Sequence, residues 1–150
     1  MTDKDILKIA KRKLGQYRRL NAMTGWMDTS GAENTLKELG QQYQTSGSKE
    51  HSNLYRAYAE RLEIEKAIDK LVHPSKRRSA GRTPAEKTEL LKMIFRRKYL
   101  IKFPIKDREI FLGLGISEDM FYTFLKIGLL QFADHYRDGA LYRWLEKTNR

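Results

Sequence analysis

The chain contains no cysteine, only three prolines and three histidines. Without cysteine there is no disulfide framework, no zinc ribbon and no thiol nucleophile. No apolar run approaches the roughly 18–20 residues needed to cross a bilayer, so no membrane partner is expected. The amino terminus lacks the apolar centre of a signal peptide, which fits an intracellular, cytoplasmic protein. His51, His73 and His135 share no ligand spacing, and no HExxH pattern occurs. A metal or other cofactor is therefore not expected. No Ser, His and Asp grouping suggests a nucleophile, which reads as a protein that is not an enzyme. Acid is also scarce: 19 Asp and Glu stand against 30 Lys and Arg, a net charge of +11.

What remains is a chain of 150 residues with 40% hydrophobic residues, enough for a modest core. The positive charge is clustered. Residues 1–24 hold seven cations against two acids, and residues 73–98 hold nine against two. A nearly neutral stretch separates them. Clustered cations suit a phosphate surface, because each neutralised phosphate releases a counterion. Solvated helix faces are the plainer reading.

Apolar spacing points to an all-α fold. Ile6, Ile9, Ala10, Leu14, Tyr17 and Leu20 recur at helical intervals within residues 1–24, with Lys8, Lys11, Arg12, Lys13, Arg18 and Arg19 around them. This segment is expected to be a basic helical arm, suited to DNA, to a membrane surface or to its own domain. Residues 25–49 hold four glycines and many small polar residues, the composition of a flexible linker. A short helix around 33–39 is compatible with it. Residues 50–72 form a central helix with a stripe of Leu54, Ala57, Arg61, Ile64, Ile68 and Leu71. That stripe fits a homodimer seam as well as intramolecular packing. Glu60, Glu63 and Glu65 are expected on its solvated face. Residues 73–83 read as a mobile basic connector.

From residue 84 onward a helical DNA-binding domain is expected, with residues 84–138 able to fold alone. Thr83, Pro84 and Glu86 have the pattern of a capping box with proline at the first helical position. Leu90, Leu91, Ile94 and Phe95 face inward, and Lys87, Lys92, Arg96, Arg97 and Lys98 outward. Residues 105–113 form a short helix. Gly115 supplies a left-handed turn, and Ser117 caps a second helix with Glu118 and Asp119 in its first turn. Phe121, Phe124 and Leu125 give that helix its inward face. Short helix, glycine turn and capped helix are the parts of a helix-turn-helix; an ordinary helical hairpin is the plainer alternative.

In a helix-turn-helix the second helix enters the major groove. Its candidate base-reading residues are Ser117, Glu118, Asp119, Tyr122, Thr123 and Lys126. Carboxylates accept from cytosine N4, a threonine methyl meets thymine and lysine reads guanine. The two acids also suit a capping role alone. Lys76, Arg77, Arg78, Arg82, Arg96, Arg97 and Lys98 are the candidate phosphate contacts. Trp26 and Trp144 are expected to pack, with base stacking by Trp26 the alternative.

The segments KIAKRKLGQYRRL, IEKAIDKL and GISEDMFYTFLKIGLLQFADHYRDGAL carry a resemblance. Together they resemble the ArpU family of phage-encoded transcriptional regulators, linked to late-gene control in phages of Gram-positive bacteria. Ser117, Glu118, Phe121, Tyr122, Leu129, Leu130, Phe132, Ala133, Tyr136 and Arg137 match the family's carboxy-terminal pattern. Nearly the whole chain is covered, apart from the linker. The resemblance implies sequence-specific binding of double-stranded DNA near the nucleoid of a bacterial host. It also implies a sigma-factor-like helix-turn-helix, and contact with host RNA polymerase. Two rival functions share these features. One is a small terminase-like DNA-packaging subunit, which needs a ring-forming helix. The other is an RNA polymerase adaptor that never touches DNA.

Overall fold

The computed structural model describes residues 2–24 and 49–148. The expected linker and its short helix, with Trp26, lie outside the described residues. Among those described there is no β-strand, and the fold is all-α. The helices are α1 (Asp3–Gly15), α2 (Tyr17–Thr24), α3 (Lys49–Asp69), α4 (Pro84–Tyr99), α5 (Asp107–Gly113), α6 (Glu118–His135) and α7 (Ala140–Thr148). A 3-10 turn, Tyr136–Asp138, joins α6 to α7.

Local chemistry sets several of these boundaries. Thr2 and Asp5 form a capping box at the start of α1. Thr83 and Glu86 form another at the start of α4, with Pro84 at its first position. α4 ends at Tyr99, short of Pro104. Gly115 takes φ +68° between α5 and α6, a conformation that costs a residue with a Cβ about 1–2 kcal/mol. Ser117 Oγ then accepts the Met120 N–H at 3.1 Å and caps α6.

The basic amino-terminal segment is not a protruding arm. α1 packs along α6 and α7, and α2 packs on α3. Ala10, Leu14, Tyr17 and Leu20 join Ile64, Ile68, Leu71, Leu91, Phe95, Phe121 and Phe132 in one buried cluster. The stripe of α3 is likewise spent inside the chain: Ala57, Arg61, Ile64, Ile68 and Leu71 are buried. A homodimer seam built on that stripe is thereby removed. α4 crosses α6 closely at Gly128, where an added Cβ would lie 2.1 Å from Phe95 Cε1.

Three expectations about charged side chains are overturned. Lys13 and Lys87, expected to face outward, are 5% and 3% exposed. Glu60 is not on a solvated face. Its carboxylate meets Lys13 Nζ at 2.6 Å and Arg137 Nη2 at 3.1 Å, and accepts the Tyr136 hydroxyl. Glu65 accepts the Tyr17 hydroxyl at 2.6 Å and pairs with Arg61 at 3.3 Å. Burial, and then the bond to Glu65, push the Tyr17 hydroxyl up to about 12. Apart from the Arg61–Glu65 pair within α3, these partners come from other elements, so the contacts are invisible to periodicity within one helix.

Candidate nucleic-acid interface

The site is built on α4, α5 and α6. α5 packs on α4 and α6, and α4 packs on α6. Ile110 on α5 and Phe121 on α6 are fully buried, and Ile116 in the turn nearly so. The Phe111 and Phe121 rings lie 5.8 Å apart, centre to centre. A bulky residue at position 111 is thus accommodated by ring packing between the two helices. Short helix, left-handed glycine turn and longer capped helix are arranged in the order expected of a helix-turn-helix.

All six candidate base-reading residues face solvent. Ser117, Glu118, Asp119, Tyr122, Thr123 and Lys126 are exposed, while Phe121, Phe124 and Leu125 are buried. At 100° per residue, Glu118, Asp119, Tyr122, Thr123 and Lys126 occupy one arc of α6 about 140° wide. The two faces of α6 are therefore cleanly separated. Ser117 Oγ is engaged as the cap. Tyr122 donates its hydroxyl to Asp107 Oδ2 at 3.3 Å. Partial desolvation, the Asp107 charge and that hydrogen bond raise its pKa above the ordinary value.

The connector, expected to be mobile, makes several hydrogen bonds to its neighbours. Lys87 Nζ donates to Ser75 Oγ at 2.9 Å, to the Arg77 carbonyl at 3.0 Å and to Ser79 Oγ. Val72 N–H reaches Gln131 Oε1 at 2.9 Å, and His73 N–H reaches Thr88 Oγ1 at 3.0 Å. The His73 ring lies 4.5 Å from Phe124. Burial and the Lys87 charge hold that imidazole below its ordinary pKa. Ser79 and Arg82 exchange both backbone hydrogen bonds, and Ala80 and Gly81 take φ +51° and +74°. Positive φ at both central residues is the geometry of a type I′ hairpin turn. Lys76, Arg77 and Arg78 are displayed on this anchored loop and are exposed. Arg82 Nη1 lies 3.9 Å from Met120 Sδ, in the first turn of α6.

The seven candidate phosphate residues do not form one patch. Arg82 closes the hairpin at the Met120 side of α6, and Lys76, Arg77 and Arg78 precede it on the same loop. Arg97 lies against Gly113, its Nη1 3.5 Å from where a Cβ would stand. Lys98 Nζ is held by Asp107 at 2.5 Å, beside Tyr122 in the Glu118 half of the arc, away from Met120. Arg96 pairs with Asp69 at 3.2 Å, at the end of α3. The outward arc of α6 thus has cations at both edges, the hairpin on one side and the start of α5 on the other. Sequence reasoning missed the second edge beyond Lys98. Lys102, Lys106 and Arg108 are exposed there. Their signal was present as cations at both ends of the α4–α5 loop.

A shallow groove of 410 Å³ lies between α4 and the turn, lined by Arg82, Glu86, Glu89, Leu90, Met93 and Leu114 among others. Among the described residues no group of three or more His, Asp and Glu side chains converges in the manner of a metal site. Among them, too, no helix is long and apolar enough to cross a membrane. Compared with known proteins, the chain matches no family model, no curated protein and no solved structure.

Proposed function

We propose that the chain binds duplex DNA in a sequence-specific manner through α6 and acts as a transcriptional regulator. One observation carries this reading. The arc of α6 bearing Glu118, Asp119, Tyr122, Thr123 and Lys126 is exposed, and cations flank it on both edges. A helix in the major groove needs that arrangement, with base contacts along its centre and phosphate contacts at its walls. The resemblance to ArpU regulators extends the proposal to activation of phage late genes together with host RNA polymerase. The resemblance rests on the residues that carry it.

The two groups of residues should respond differently. Neutralising Arg77, Arg78 and Arg82 together should weaken binding about equally on specific and random duplexes. The salt slope should flatten by roughly one unit for each phosphate that is no longer neutralised. Fluorescence anisotropy across a salt series measures both. Weakening confined to one sequence would refute the phosphate assignment.

Lys126→Ala and Tyr122→Ala should instead reduce discrimination between a selected duplex and random DNA, on the order of tenfold for a good base contact. Lys126 is exposed, so its melting curve should stay in place, whereas Tyr122→Ala also loses the Asp107 hydrogen bond and the edge-on contact with Phe121 and should melt somewhat lower. If both variants bind with unchanged specificity, α6 is not the reader. Failure of the wild-type chain to bind any duplex, with binding to RNA polymerase retained, would move the reading to an adaptor.

A further inference from the structure

The α4–α5 loop ends in an apolar tip that the core does not use. Phe103 is 71% exposed, and Ile105 beside it is 39% exposed. Pro104 between them is exposed as well. Scattered single apolar residues on a surface are ordinary, but three in a row at the tip of a loop are not. The tip is bounded by cations. Lys102 Nζ lies 5.5 Å from the centre of the Phe103 ring. Lys106 caps the start of α5 by position, and Arg108 follows in its first turn. Asp107, in their midst, is neutralised by Lys98. Glu109 is also exposed, about 100° around α5 from Arg108.

The tip is tied to the candidate reading helix. Asp107 holds Lys98 on one side and accepts the Tyr122 hydroxyl on the other. When α6 lies in a major groove, the start of α5 therefore stands at that groove's phosphate wall. The loop joins α5 at that point, so its tip lies next to the duplex. Apolar side chains flanked by cations at such a place are suited to enter between base steps. The cations hold the backbone phosphates while the ring replaces part of the stacking.

We propose that Phe103 is a DNA-deforming wedge, entering the minor groove beside the segment read by α6, with Lys102, Lys106 and Arg108 on the flanking phosphates. The ligand is duplex DNA, and the inference rests on the DNA-binding reading above. It assigns the α4–α5 loop a bending role that base reading by α6 does not require.

The test uses the full chain and a duplex recovered from a random pool by the wild-type protein, labelled at both ends for energy transfer. Wild type should bring the ends closer, and 2-aminopurine placed along the duplex should brighten at one flanking step. Phe103→Ser should abolish both signals and weaken binding about tenfold, as expected for removal of one stacked aromatic. Phe103→Leu should retain the kink, because leucine also serves as a wedge. Circular dichroism melts should coincide for all three, since the ring is outside the core.

Equal bending by wild type and Phe103→Ser would overturn the wedge while leaving DNA binding by α6 intact. Recovery of no duplex at all would overturn the DNA-binding reading and the wedge with it. A third result would also overturn it: Phe103-dependent binding to phosphatidylserine vesicles without any change in DNA bending.

Discussion

Replacing Phe121 with alanine is expected to cost about 3–5 kcal/mol and, on the DNA-binding reading proposed above, to weaken binding by destabilising the fold. The ring is fully buried and stands where α5, the turn and α6 meet. Its centre lies 5.8 Å from that of Phe111 and 5.1 Å from that of Tyr122, the latter edge-on. Truncation removes the transfer free energy of the ring and leaves a cavity between helices that relax only in part. For a chain of this size each kcal/mol moves the melting temperature by roughly 2–4 °C, so a drop of roughly 6–20 °C is expected. Thermal melts measured beside binding titrations separate this effect from that of Lys126→Ala, which should melt normally. A Phe121→Ala protein that melts like wild type yet fails to bind would make position 121 a contact residue. The division of α6 into two faces would then be wrong.

How much of this is legible in the sequence depends on how local the cause is. The capping box of Thr83 and Glu86, the cap at Ser117 and the left-handed turn at Gly115 are settled by neighbours within four residues. Each is found where the residues place it. The inward and outward faces of α6 follow from helical spacing alone, and they too agree. The burial of Lys13 and Lys87 and the pairing of Glu60 are not legible, because each charge has partners far away in the chain or on another element. Tyr136 lies 76 residues from the Glu60 that it meets. A lysine in a basic run reads as solvated until the tertiary acceptors are known. Lys87 acquires three of them only when residues 75–79 fold back over the start of α4.

The same reasoning bears on the domain boundary. Apolar spacing within residues 84–138 suggests a segment able to fold alone. In the fold its inward faces meet Ala10, Leu14 and Tyr17 from the amino-terminal segment, and Ile64, Ile68 and Leu71 from α3. Cutting at residue 84 would strip those surfaces away and expose the apolar faces of α4 and α6. The discrepancy has a physical source. Amphipathic spacing tells which face of a helix is covered, but not which helix covers it. The exposed tip at Phe103 presents the opposite problem. Helical periodicity marks it only as the place where Pro104 interrupts a helix. Its signal is the sequence Lys102-Phe103-Pro104-Ile105-Lys106, an apolar run closed by cations at both ends.

The second large effect is expected at Glu60. This carboxylate ties α3 to two other elements: Lys13 from α1, and Tyr136 and Arg137 from the 3-10 turn after α6. Lys13 Nζ also lies 5.1 Å from the centre of the Tyr136 ring. Burial favours the neutral acid. The hydrogen bonds from Lys13 and Tyr136, with the charges of Lys13 and Arg137, outweigh burial and hold Glu60 below its ordinary pKa. Glu60→Ala leaves the Lys13 ammonium buried without its carboxylate. Breaking a buried pair costs about 3–5 kcal/mol, and the quarter exposure of Glu60 puts this one near the lower end. The pH dependence has a definite sign. A carboxyl whose pKa is lower in the fold than in the unfolded chain stabilises fully above the unfolded value. That contribution disappears as pH falls through the folded value. Melting temperature should therefore fall more steeply toward acid in wild type than in Glu60→Gln, which has no proton to take up. The two curves should converge at low pH. Parallel curves would mean that Glu60 contributes no charge to stability and that the far end of α6 is held by packing alone.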